Sequence, residues 1–175
     1  MDSIPQSKII TEVKSLERQQ ELKRDLKYRN FLRQQNRFDV VICEKNHTFI
    51  NDCYSDSIND CMATIDQLKG SVIWINFAPR LASDLSEMAP LLKSKVRAVF
   101  SFGHETGFIF NSVRNHIEFF VKSNSLSEAL ILADLYAVDN ENIVFAPGAV
   151  AEMSLSSTWK TEFKNSLSKL KKSIY

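Results

Sequence analysis

The run Ser71-Val72-Ile73-Trp74-Ile75 carries no polar side chain after its first residue. An alternating strand can leave one face in water, but a strand apolar on both faces needs cover on both, as in a parallel sheet lying between helices. The pattern recurs along the chain. Val96-Arg97-Ala98-Val99-Phe100, Ile117-Glu118-Phe119-Phe120-Val121 and Asn142-Ile143-Val144-Phe145 are further short runs rich in β-branched and aromatic residues. Segments of helical period lie between them. Ser57 or Asp56 can cap a helix with Ile58, Met62, Ile65 and Leu68 on one face, and Gly70 stops it. Asp84 with Glu87 opens a helix toward Leu92, and Ser125-Leu126-Ser127-Glu128 matches a capping box ahead of Ala129, Leu132 and Leu135. A last helix begins near Leu155. Upstream, Phe38–Ile42 and Thr48-Phe49-Ile50 flank Glu44-Lys45-Asn46-His47 as the arms of a hairpin. Strand and helix in series predict an α/β fold: a three-layer Rossmann-like sandwich with a mostly parallel sheet, right-handed crossovers and the opening β-hairpin at or near an edge.

The chain divides into residues 1–35 and 36–175. From Ser7 to about Gln35 it is rich in Lys, Arg, Glu and Gln, contains no Gly or Pro, and spaces Ile9-Val13-Leu16 and Leu22-Leu26 as helical stripes that are out of step. This predicts an N-terminal helical arm of one or two amphipathic helices rather than a long coiled-coil seam. The arm either packs on the domain or docks another protein, with Leu22, Leu26 and Phe31 as its partner-binding residues. Phe77, Phe108 and Phe110 are further candidates for an apolar interface, although most of the 12 phenylalanines are expected in the core.

Bulk properties exclude several classes. Lys+Arg of 22 against Asp+Glu of 21 leaves a formal charge of +1, so no global field favours nucleic acid or an anionic membrane. Cys43, Cys53 and Cys61 are odd in number and lack a Cys-x-x-Cys spacing, which speaks against a disulfide framework and a thiolate metal site. No apolar run approaches the roughly 20 residues that span a bilayer, and Met1-Asp2-Ser3-Ile4-Pro5 is not the start of a signal peptide. The expectation is a soluble cytoplasmic protein.

Ligands of parallel sheets sit beyond the carboxyl ends of the strands. That rule singles out Asp52, the stretch Asn76 to Arg80, Gly103 to Glu105, Lys122, and Pro147 to Glu152. Asp52, Arg80, His104 and Lys122 are the ligand-binding candidates, with Arg80 and Lys122 suited to a small anionic ligand. A catalytic reading would bring Asp52 and His104 together with Cys53, Glu105 and Arg80, a histidine activating a thiol beside a carboxylate. The structural reading competes with it, because an Asp at a strand end caps the next helix and lone cysteines serve as small buried hydrophobes. His47 and His116 read as solvated turn and loop residues, and no triplet has metal-ligand spacing. No cofactor is expected. The one close glycine pair, Gly103-His104-Glu105-Thr106-Gly107, lacks both the spacing and the lysine of a phosphate-binding loop.

A set of marks in order makes the chain resemble a known family. They are Arg37 before the first strand, Phe49-Ile50-Asn51-Asp52, the Trp74 strand, Pro90-Leu91-Leu92-Lys93 leading into Val96-Arg97-Ala98, a strand ending at Gly103, and Ala146-Pro147. From about Asn36 to Leu170 the chain resembles the C-terminal domain of the Mur ligases, most closely their D-glutamate-adding branch, which builds peptidoglycan precursors. The resemblance implies a relative of ATP-dependent amide-bond-forming enzymes. It also shows departures. Where the family follows Asn-Asp with Ser-Lys-Ala-Thr-Asn, this chain has Cys53-Tyr54-Ser55-Asp56-Ser57, so Tyr54 stands at the lysine position. Its Gly-Gly loop and Asp-Lys-Gly become Phe77-Ala78-Pro79-Arg80-Leu81-Ala82, and Ser-Pro-Ala-Cys-Ala-Ser-Phe-Asp becomes Ala146-Pro147-Gly148-Ala149-Val150-Ala151-Glu152-Met153. The family's Gly-Lys-Thr/Ser phosphate loop, which belongs to its central domain, is not encoded. These departures imply a degenerate ligase-like domain that is not catalytic alone and acts by binding or scaffolding, with a protein partner or a second copy. The alternatives are an accessory half of a D-glutamate ligase completed by another polypeptide, with Asp52 and Arg80 contributing, and a small anionic metabolite binder.

Overall fold

The computed structural model describes residues 39–42, 47–53, 55, 57–78, 85–148 and 153–172. The expected arm, with Leu22, Leu26 and Phe31, lies outside the described residues, as does Arg80. The elements in chain order are β1 (Asp39–Ile42), β2 (Thr48–Asn51), α1 (Ile58–Gln67), β3 (Val72–Ala78), a 3-10 turn (Ser86–Met88), α2 (Ala89–Lys95), β4 (Val96–Gly103), α3 (Thr106–Val113), β5 (Phe119–Lys122), α4 (Leu126–Tyr136), β6 (Asn142–Phe145) and α5 (Met153–Lys172). The strands form one six-stranded sheet in the order β1-β2-β6-β3-β4-β5. β1 pairs antiparallel with β2 as the edge hairpin, and every other pairing is parallel.

Alternation along the strands divides the core into two layers. Ile50, Val72, Trp74, Val99 and Val144 face α1, α2 and α3, meeting Cys61, Ile65, Leu92, Ile109 and Val113. Phe49, Ile73, Ile75, Phe100, Ile143 and Phe145 face α4 and α5, meeting Leu130, Ala133, Trp159, Phe163 and Leu167. This is the three-layer arrangement that doubly apolar strands require. The helix starts follow the capping residues. Ser57 Oγ accepts from the Asp60 N–H at 3.1 Å, and Ser125 Oγ from the Glu128 N–H at 3.1 Å. The Glu128 carboxylate reaches back one residue further than a capping box requires, accepting from the Asn124 N–H at 2.7 Å.

Two local features depart from the sequence expectation. His47 is not solvated. Its Nε2 lies 2.8 Å from Asp134 Oδ1 on α4 and its ring meets Phe49 edge-on, because α4 runs over the start of β2 and seals the hairpin end there. His116 is half-buried in the turn after α3, its N–H donating to the Val113 carbonyl at 2.9 Å. The second feature is a bulge. Val72 pairs with Val96 but Ile73 pairs with Ala98, so Arg97 is an extra residue on β4. A bulged residue escapes the in-out alternation, and Arg97 uses that freedom to stack over Tyr136 at 4.2 Å and grip Glu141.

Candidate functional site

The chain leaves β3 for α2 on one face and leaves β6 for α5 on the other, so the reversal of direction lies between β3 and β6. A crevice outside the carboxyl ends of these two strands is where such a sheet ordinarily takes a ligand. Here aromatic rings pack on its α5 side. Phe77 at the end of β3 lies 5.0 Å from Trp159 and 5.4 Å from Phe102, and Trp159 meets Phe145 edge-on at 5.8 Å. Phe77, expected at a partner surface, is half-buried in this cluster. On the other side Trp74 donates its indole N–H to the Ala146 carbonyl at 2.8 Å, and the Cys61 thiol donates to the same oxygen at 3.4 Å. Gly148 adopts φ +69°, and a Cβ there would come within 3.0 Å of Cys61 Sγ and Ile58 Cδ1, so the Pro147-Gly148 turn lies flat on α1.

The residues from β2 are buried rather than presented. Asp52 is fully buried, with Oδ2 accepting from Thr64 Oγ1 of α1 at 2.5 Å, while its carbonyl accepts from the Ser55 N–H and hydroxyl, each at 2.9 Å. Cys53 is buried, and its N–H donates to Asn51 Oδ1 at 3.2 Å. Asp52 thus ties the end of β2 to α1, holding the helix by its middle rather than capping its first turn. β6 and β3 stand between β2 and β4, and three strand spacings are roughly 14 Å. Cys53 and Asp52 therefore do not converge with His104, and the thiol–imidazole arrangement is not formed.

The open rim lies at β4 and β5. Gly103 closes β4 with φ +108°, and a Cβ there would collide with the Ala78 carbonyl oxygen, so only glycine fits. That oxygen accepts from the His104 N–H at 2.9 Å and the Glu105 N–H at 3.3 Å, which fixes the turn into α3. His104 and Glu105 are exposed, and so is Lys122 at the end of the neighbouring strand. Ser123 next to it is buried, its N–H donating to the Ser101 carbonyl at 2.9 Å. Below the rim Asn76 and Ser101 sit side by side in the β3–β4 register, and Asn76 Oδ1 and Ser101 Oγ are buried without a hydrogen-bond partner among the described residues. Among the described residues no group of three His, Cys, Asp or Glu is placed to hold a metal ion, and no helix is long and apolar enough to cross a membrane. Sequence reasoning missed Trp159. The signal was available in the stripe Trp159-Phe163-Leu167 of α5, three apolar residues spaced four apart.

The geometry defines a Rossmann-like α/β domain with aromatic rings packed on one side of its switch point and a small polar rim at β4 and β5. Comparison with known proteins narrows the class. No family model matches the chain. It is 22% identical over 117 residues to a UDP-N-acetylmuramoylalanine–D-glutamate ligase of Christiangramia forsetii, a match covering 67% of this chain and 26% of that protein. It is 27% identical over 120 residues to the ligase of the same name from Chlorobium phaeobacteroides, covering 69% of this chain and 26% of the relative. The chain thus spans about a quarter of the length of these relatives. Among solved structures, a domain from a protein described as a UDP-N-acetylmuramate:L-alanyl-γ-D-glutamyl-meso-diaminopimelate ligase of Haemophilus ducreyi shares the fold. Its TM-score is 0.52 at 17% identity, covering 77% of this chain and 99% of that one. These likenesses support a Mur ligase C-terminal-like domain over about two thirds of the chain.

Proposed function

We propose that this domain is a binding module that keeps the Mur ligase C-terminal fold without ligase chemistry of its own, with a link to peptidoglycan metabolism by ancestry. The observation that carries the reading is the aromatic packing of Phe77 on Trp159 and Phe102 at the β3–β6 switch point. Rings fill the α5 side of the place where a parallel sheet takes its substrate, and the carboxylate at the end of β2 is engaged by Thr64. Among the described strand-end residues His104, Glu105 and Lys122 are exposed, and the cation together with an imidazole suits an anionic group on a small ligand or a partner chain.

The test is an ADP-release assay on the full chain with ATP, magnesium, D-glutamate and UDP-N-acetylmuramoylalanine, run beside calorimetric titration of the last two. No ADP is expected, and ADP release above a no-enzyme control refutes the reading. Any ligand that binds should lose affinity in Lys122→Ala and His104→Ala. The match to about a quarter of a ligase's length favours a second reading, an accessory half completed in trans. In that case ADP release appears only when a polypeptide carrying the ATP-binding domain is added.

A further inference from the structure

β5 is the last strand of the sheet, so one of its sides pairs with nothing among the described residues. Its sequence with the preceding residue is Glu118-Phe119-Phe120-Val121-Lys122. The Glu118 N–H donates inward to the Arg97 carbonyl at 2.9 Å. The phase within the strand is set at its far end, where the Ser123 N–H donates to the Ser101 carbonyl at 2.9 Å and Ser101 lies opposite Lys122, so Val121 and Phe119 turn inward and the N–H and C=O of Phe120 are aimed at the free edge. The edge is aromatic on both faces. Phe119, 44% exposed, stacks on Tyr136 of α4, and Phe120 packs on Phe110 of α3, itself 40% exposed. An uncovered edge of this kind is a template for strand addition.

We propose that this edge pairs with the same edge of a second copy of the chain, β5 antiparallel to β5 about a two-fold axis through Phe120. Charge complementarity selects a second copy. With Phe120 opposite its symmetry mate, Glu118 of each chain faces Lys122 of the other, at both ends of the pairing. The Glu118 side chain is 71% exposed, with only a 4.0 Å contact to Arg97, and Lys122 is exposed with no ion pair among the described residues. The hydrogen-bond phase agrees. In this register Phe120 meets Phe120 as a hydrogen-bonded pair on the axis, and Phe119 and Val121 face each other in the closer, non-bonded positions. An axis normal to the sheet keeps both copies of α3 on one face, so each Phe110 is drawn toward the seam. The inference does not rest on what the β4–β5 rim binds.

The test is sedimentation of the full chain over a concentration series, with Glu118→Lys, Lys122→Glu and the double variant, each checked for folding by circular dichroism. The intact chain should form dimers. Either single reversal puts like charges opposite at both ends and should weaken the dimer by about tenfold or more, and the double variant should recover most of that loss. Amide exchange at Phe120 should slow as concentration rises. A chain that stays monomeric, a dimer indifferent to either reversal, or a double variant that fails to rescue each overturns the proposal. Because the readout is mass and Glu118 lies off the rim, failure here is separate from failure of the binding reading.

Discussion

Replacing Glu141 by Gln tests how the amino end of the sheet is held. The carboxylate is 3% exposed and accepts from Arg97 Nε at 2.6 Å, from Arg97 Nη2 at 2.5 Å and from the Val138 N–H at 2.9 Å. Burial alone would push its pKa up. The Arg97 hydrogen bonds, those from Val138 and Ser71, and the guanidinium charge outweigh burial and hold the carboxyl below its ordinary 4.5. The hydrogen bond to Glu141 likewise raises Arg97, against burial. Gln keeps the volume but removes the charge and one arm of the fork. Breaking a buried pair costs about 3–5 kcal/mol, and partial exposure of the guanidinium brings the expectation here to about 2–3 kcal/mol. The sign of the pH dependence follows from the lowered pKa. As pH falls the unfolded chain takes up the proton first, so the contribution is complete above the unfolded value and disappears as pH falls through the folded one. Urea unfolding of both proteins should therefore show a constant gap near neutral pH that narrows below pH 4.5. A gap under about 1 kcal/mol at neutral pH, or one that does not narrow on acidification, refutes the assignment.

Three further substitutions probe single contacts. Gly103→Ala meets both a positive φ and the Ala78 carbonyl, and it should cost about 2–4 kcal/mol in thermal unfolding and disturb the His104 turn. Asp134→Ala leaves His47 buried beside Phe49 without its carboxylate and should cost about 2–3 kcal/mol, whereas a solvated His47 would make the change nearly neutral. Ser125→Ala removes the cap of α4 and should cost about 1 kcal/mol, with Ser125→Asp restoring most of it in the same urea titration.

Much of the fold was legible because its signals are local. The doubly apolar β3 and the caps at Ser57 and Ser125 each act within a few residues and stand where they were expected, while α1 ends at Gln67 with Leu68 as its C-cap, ahead of Gly70. The strand bounds shifted where alternation gives no marker, as at β5, which begins at Phe119 rather than Ile117. What was not legible depends on residues far apart in sequence. His47 is buried by a helix 87 residues away, and the Arg97–Glu141 fork spans 44 residues and needs a bulge that no local pattern announces. The site was read less well than the fold for the same reason. Strand-end residues were expected to converge, but the insertion of β6 between β2 and β3 moves Asp52 away from His104.

That insertion also explains why the family marks carried the fold further than they carry function. Asp52 binds Thr64, the Trp74 indole shares the Ala146 carbonyl with Cys61, Gly103 lets β4 pass the Ala78 carbonyl, and Pro90 sits in the first turn of α2. Each of these positions has a structural task that any chain with this topology must meet, whatever it binds. The departures gather instead where a ligase domain would meet its substrate, at Tyr54, at Phe77 to Ala82 and after Pro147. Steric and hydrogen-bond demands on the frame therefore account for the likeness, and the proposed binding role is tested first at the rim of His104 and Lys122, with anions small enough to sit across two adjacent strands.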